Sequence, residues 1–93
     1  MMANVEIYTW KTCPYCRRAK QLLDYKKVDY KEYQIDGDGK ARDAMVARGT
    51  NGRRSVPQIF INDQHIGGSD NLYYLEQQGE LDKLLNGKQV QLQ

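Results

Sequence analysis

The sequence predicts an α/β fold, a mixed four-stranded β-sheet flanked by α-helices. Three observations predict it. A β-prone apolar stretch over residues 5–10, an amphipathic helical pattern and a second extended stretch over 28–35 form a βαβ unit, with parallel strands and a right-handed crossover. The continuous apolar run Ile59-Phe60-Ile61 is separated from His65-Ile66 by Asn62-Asp63, which is turn chemistry and adds an antiparallel pair. Leucines at helical spacing then follow a glycine pair. The expected order is β-α-β-α-β-β-α, in one domain over residues 1–93, a length that suits a single compact unit.

Taken in order, residues 5–10 place Val5 and Ile7 on one face of a strand and Glu6, Tyr8 and Trp10 on the other. Lys11-Thr12 is a short connection. Pro14 stands where a helix tolerates proline in its first turn, and Ala19, Leu22 and Leu23 recur at helical spacing to about residue 26, with Arg17, Arg18 and Lys20 outward. Charged residues interrupt 28–35, which marks an edge strand. Asp36-Gly37-Asp38-Gly39 is a loop, and residues 40–48 form a short helix with Ala41, Ala44 and Met45 on one side. Residues 49–54 are a second loop. The run Ile59-Phe60-Ile61 fits a strand covered on both faces. Ser69-Asp70 is expected to cap a helix carrying Leu72 and Leu75 that ends at Gly79, and Leu81, Leu84 and Leu85 make a last helical turn. The polar tail from about residue 87 is expected to fray.

Composition narrows the function. A net charge of +2 is too small for a nucleic-acid stripe, and no apolar run reaches the length of a membrane span. The chain runs directly into Val5-Glu6-Ile7-Tyr8 with no basic stretch followed by an apolar one, so a cytoplasmic location is expected. The seven tyrosines suit half-buried positions, apolar on the ring and wet at the hydroxyl.

Cys13-Pro14-Tyr15-Cys16 holds both cysteines. In a reducing cytosol a structural disulfide is not expected, and one closing so small a loop constrains the unfolded chain little. A zinc site needs four ligands, and the sequence lacks the second pair, so no intrinsic metal is expected. Within a β-α-β frame, the Cys-x-x-Cys spacing reads as redox chemistry. The thiolate is the nucleophile, and Cys13 lies at the strand-to-helix junction, where free amides and the helix dipole favour an anion, with Lys11 two residues earlier. Cys16 lies one turn further in. Cys13 is thus the attacking cysteine, and Cys16 resolves the mixed disulfide.

Two remote segments complete a candidate site. Proline donates nothing to a sheet ladder, so Pro57 is either a plain strand-initiating residue or part of a cis Val56–Pro57 bond. The second arrangement leaves the backbone of Val56 free to pair with an extended peptide. Gly67-Gly68-Ser69-Asp70 opens a helix whose N–H groups suit a carboxylate, while Asp70 accepts from an ammonium; the simpler alternative is a capped turn. His65, the lone histidine, is given a surface or packing role.

Thr12-Cys13-Pro14-Tyr15-Cys16, Ser55-Val56-Pro57-Gln58-Ile59-Phe60-Ile61 and Gly67-Gly68-Ser69-Asp70-Asn71-Leu72, in that order, resemble the glutaredoxin family in its dithiol Cys-Pro-Tyr-Cys class. The resemblance spans nearly the whole chain, through Leu85. It implies a thioredoxin-like fold, a cis Pro57, and glutathione as co-substrate. By similarity, Cys13 forms the mixed disulfide with glutathione. Lys11 and Arg42 face its glycine carboxylate, with Arg53 or Arg54 as alternatives to Arg42 because the loop over 49–54 looks longer than in relatives. Tyr15 lines the groove beside Pro57, Val56 pairs with the cysteinyl backbone, and Ser69 and Asp70 hold the γ-glutamyl end. Two departures stand out: Ser69 replaces an extra cysteine common in relatives, and Asn71 replaces a frequent second acid.

The resemblance further implies a monomeric enzyme of cell redox homeostasis and electron transport. It reduces protein–glutathione mixed disulfides (deglutathionylation) through Cys13, and disulfide-bonded client proteins through Cys13 and Cys16. Glutathione reductase acts upstream through glutathione. Two other readings compete: a dimer holding a [2Fe–2S] cluster between two Cys13 thiolates and two glutathiones, against which the stiffening Pro14 argues, and a carrier served by a thioredoxin reductase.

Overall fold

A computed structural model describes residues 3–86; the tail expected to fray lies outside them. The elements run β1 (Val5–Thr9), α1 (Pro14–Tyr25), β2 (Tyr30–Gln34), α2 (Gly39–Ala47), β3 (Gln58–Ile61), β4 (Gln64–Gly67), α3 (Ser69–Gln77) and α4 (Leu81–Leu85). The four strands form one sheet in the order β2-β1-β3-β4. β1 pairs parallel with β2, Ile7 opposite Glu32, and antiparallel with β3, Ile7 opposite Ile59. The expected mixed sheet is therefore present, with β2 at an edge.

Strand alternation divides the core. Val5, Ile7, Ile59 and Ile61 meet Leu22 and Leu23 of α1, Leu72 and Leu75 of α3 and the three leucines of α4 in one aliphatic layer. On the other face Tyr8, Phe60, Ile35 and Met45 of α2 form a smaller, aromatic cluster. β1 and β3 lie inside the sheet and are buried along their whole length.

Several boundaries differ from the sequence reading. Trp10 leaves the strand and is 37% exposed, because Thr9, fully buried, is the last residue to pair with β2. Residues 28 and 29 are not strand: Lys27 takes a positive φ of 57° and the Val28 amide still donates to the Leu23 carbonyl of α1. In α2, Ala44 is exposed and Val46 packs instead, as the helix touches the sheet mainly through Met45. Asn62 and Asp63 both take positive φ (53° and 64°), the geometry of a two-residue hairpin turn matched to strand twist.

At the end of α2, the Arg48 guanidinium lies 4.1 Å over the Phe60 ring and bonds the Glu6 carboxylate at 2.9 and 3.1 Å, the Tyr8 hydroxyl and Asp63. The bond to Arg48 is the largest influence on Glu6 and holds its carboxyl below the ordinary range despite burial. This cluster anchors the start of the loop over 49–54 to the sheet.

Candidate functional site

The first wall of the site is local. Cys13 is the N-cap of α1, in extended conformation, and Pro14 opens the helix where its missing N–H is no loss. The Cys13 Sγ accepts the Cys16 amide at 3.2 Å, so a backbone donor points at the sulfur from the positive end of the helix. Burial separates the two thiols: Cys13 is 9% exposed and Cys16 1%. Burial pushes the Cys16 thiol up to about 12, reinforced by its bond to Cys13; the Trp10 backbone and the Lys20 charge pull the other way. Cys16 is thus a protonated, buried thiol in contact with Cys13.

The second wall is assembled from distant residues. The Val56–Pro57 bond is cis, as the resemblance implies, and the Val56 carbonyl lies 4.0 Å from the Cys13 sulfur. Behind it, the buried Gln58 side chain donates to the Ser55 carbonyl at 3.1 Å. Its Oε1 then accepts from His65 Nε2 at 2.6 Å, so His65 serves packing, with burial and the nearby Arg53 charge holding its pKa below the ordinary value.

At α3 the structure corrects the expected cap. Gly68, not Ser69 or Asp70, is the N-cap, and its amide donates to Asn71 Oδ1 at 3.1 Å. That side chain crowds Gly67: a Cβ there would lie 2.5 Å from Asn71 Oδ1, and φ is +117°. With Asn71 capping, Ser69 and Asp70 are left at the helix entrance. The Ser69 hydroxyl is buried with no hydrogen-bond partner among the described residues.

A groove of about 180 Å³ joins the walls. Its lining comes from Tyr15 of α1, from Arg53, Ser55, Val56, Pro57 and Gln58, and from Gly68 to Asn71 at the start of α3. Of the three candidate arginines, Arg53 reaches the groove. Arg54 pairs with Asp43 at 3.0 Å, and Arg42 lies 5.0 Å over the Trp10 ring. Lys11 is exposed and does not line the groove; its backbone amide is held by the Asp36 carboxylate at 2.9 and 3.0 Å. Sequence reasoning missed Thr50, whose buried hydroxyl donates to the Arg53 carbonyl at 2.7 Å and fixes the loop that presents Arg53. The signal was weak, a threonine in a polar loop. Gln58 and the capping role of Asn71 were also missed.

A sulfur at a helix N-terminus with a second thiol behind it is an arrangement suited to thiol–disulfide exchange. The fold and this pair define a thiol–disulfide oxidoreductase with a thioredoxin-like fold. The chain belongs to the glutaredoxin family, whose family model, Glutaredoxin, matches residues 5–66. It is 61% identical to a probable glutaredoxin of Synechocystis sp., over 90% of this chain and 94% of the relative. It is 58% identical to glutaredoxin 3 of Escherichia coli, over 90% of this chain and 99% of the relative. The crystal structure of a buckwheat glutaredoxin–glutathione complex superposes with a TM-score of 0.81 at 27% identity, over 91% of this chain and 78% of that one.

Proposed function

We propose that the protein is a glutathione-dependent oxidoreductase that reduces protein–glutathione mixed disulfides through Cys13 alone and protein disulfides through Cys13 and Cys16. In the first route the Cys13 thiolate attacks the glutathione sulfur. A Cys13–glutathione disulfide forms, and the protein sulfur leaves as a thiolate and takes up a proton. A second glutathione thiolate then releases glutathione disulfide. In the second route Cys13 attacks a protein disulfide, and Cys16 loses its proton and displaces the client, leaving a Cys13–Cys16 disulfide that two glutathiones reduce.

One observation carries this reading: the groove runs from Tyr15, between the two cysteines in the chain, to the N-terminus of α3, where the buried Ser69 hydroxyl lacks a partner among the described residues. A γ-glutamyl tripeptide fits that polarity. Its sulfur meets Cys13, its cysteinyl backbone pairs with Val56 beside Pro57, and its amino-terminal end takes the Ser69 amide and the Asp70 carboxylate. Its glycine carboxylate takes the Arg53 guanidinium, with Lys11 and Arg42 flanking the Cys13 end and Tyr15 covering the sulfur. The bound state in the buckwheat relative supports glutathione as the ligand. The protein works as a monomer in the cytoplasm, where glutathione is reducing.

NADPH consumption with glutathione, glutathione reductase and a glutathione mixed disulfide tests the reading. Catalysed turnover is expected. Turnover with a thioredoxin reductase and none with glutathione would overturn it.

A further inference from the structure

One half-buried ion pair has no part in the chemistry above. Lys20 of α1 and Glu32 of β2 meet at 2.9 Å, their side chains 28% and 24% exposed. The Thr9 hydroxyl of β1, fully buried, donates to the same Glu32 oxygen at 2.7 Å. Thr9 and Glu32 lie on the sheet face that α1 covers, the face of Ile7 and Tyr30. Lys20 follows Cys16 by four residues, so the two share one face of α1, one turn apart. We propose that Lys20, held by Glu32 and Thr9, is a positioning residue that supplies positive charge to the Cys16 sulfur during dithiol closure.

The inference rests on the dithiol route proposed above. In that step the Cys16 proton leaves, Cys16 sulfur bonds to Cys13 sulfur, the Cys13–client bond breaks, and the client thiolate takes up a proton. Negative charge must appear on a sulfur that is 1% exposed, where water gives little help. Beside it stand the Cys13 sulfur and the Lys20 ammonium of α1 and the backbone of Trp10, the residue after β1. Behind Lys20 lie Glu32 of β2 and the neutral Thr9 of β1, and across α1 the Tyr73 hydroxyl of α3 is committed to the Arg18 carbonyl at 3.0 Å. Lys20, one helical turn along α1 from Cys16, is the cation of this set. Glu32 fixes it in place and also offsets part of its charge. Burial opposes the Glu32 carboxylate, but its bonds to Thr9 and Lys20 hold it ionised below the ordinary range.

This arrangement makes the two partners act in opposite directions, which a merely structural salt bridge does not. Lys20→Met leaves Glu32 uncompensated and disfavours the Cys16 thiolate. Glu32→Gln releases the full Lys20 charge and favours it. A tenfold change in thiolate fraction, tempered by the change in nucleophilicity, leaves about a threefold change in rate.

The test is a pH-jump on the preformed Cys13–glutathione adduct, following glutathione release by stopped flow as pH is varied. Lys20→Met is expected to slow closure about threefold or more and move its profile to higher pH. Glu32→Gln is expected to speed it about threefold and move the profile to lower pH, while Lys20→Arg matches wild type. In a Cys16→Ser background neither substitution should change turnover of a glutathione mixed disulfide. Both variants shifting closure in the same direction, or neither moving the pH profile, would overturn the proposal. A wild-type adduct that forms but never closes would overturn the dithiol route and this proposal with it. An adduct that never forms would sink the glutathione reading itself.

Discussion

The two walls of the groove are built by different means. The cysteine wall is set within four consecutive residues: an N-cap, a first-turn proline and one helical turn bring the Cys16 amide to the Cys13 sulfur at 3.2 Å. The opposite wall joins the Val56–Pro57 turn, the loop carrying Arg53 and the N-terminus of α3, which meet only because β3, β4 and α3 pack as they do. In the function proposed above, the cysteine wall makes the chemistry and the assembled wall selects what reaches it. Changes in the first should therefore alter rate outright, while changes in the second act through stability and affinity.

The largest effect expected is that of Cys13→Ser, which removes the attacking sulfur. Turnover of both glutathione mixed disulfides and protein disulfides should fall by at least about a hundredfold in the coupled assay. Cys16→Ser should split the two activities, abolishing reduction of a protein disulfide while leaving mixed-disulfide turnover within about threefold of wild type. On the assembled wall, Leu72→Ala empties a fully buried site at the root of α3, where the Leu72 amide bonds the Gly68 carbonyl. It should cost about 2–5 kcal/mol in urea unfolding.

Smaller still is the anchor of the Arg53 loop. Glu6→Gln removes the charge that Arg48 bonds at 2.9 and 3.1 Å and should cost about 1.5–3 kcal/mol at neutral pH. The Glu6 carboxyl titrates lower in the folded protein than in the unfolded chain, so its contribution is complete above the unfolded value of about 4.3. It is lost as pH falls through the folded value. The Glu6→Gln variant should accordingly show a flatter acid limb in stability against pH. The smallest effect is expected from Arg53→Ala, which should raise the KM for glutathione about three- to tenfold with kcat unchanged. If Arg42→Ala had that effect and Arg53→Ala none, the glycine carboxylate would lie at the Trp10 side instead.

Legibility in the sequence follows the same division. The strands, the helices and the cysteine pair rest on local patterns, and the residues that make them are adjacent in the chain. The two-face burial of β3 shows in the run Ile59-Phe60-Ile61, whereas the place of β1 between β2 and β3 depends on pairing with strands distant in the chain and leaves no local pattern. The α3 cap was misread because Ser69 and Asp70 are common N-cap types, whereas Asn71 reaches back to Gly68 only because Gly67 has no side chain to block it. Choosing among Arg42, Arg53 and Arg54 depended on tertiary partners: Trp10 takes the first, Asp43 the third, and the Thr50 hydroxyl fixes the loop that presents the second. None of those contacts leaves a pattern along the chain. The Lys20–Glu32 pair is equally hidden, since its partners lie on α1 and an edge strand.

The most direct measurement is intact mass after the protein is mixed with glutathione disulfide, with peptide mapping of the modified residue. The Cys16→Ser variant is expected to retain one glutathionyl group, on Cys13, while wild type passes through that adduct and ends with a Cys13–Cys16 disulfide. A Cys16→Ser variant that takes up no glutathione, or a wild type modified on Cys16, would contradict the assignment of Cys13 as the nucleophile and of the groove as a glutathione site.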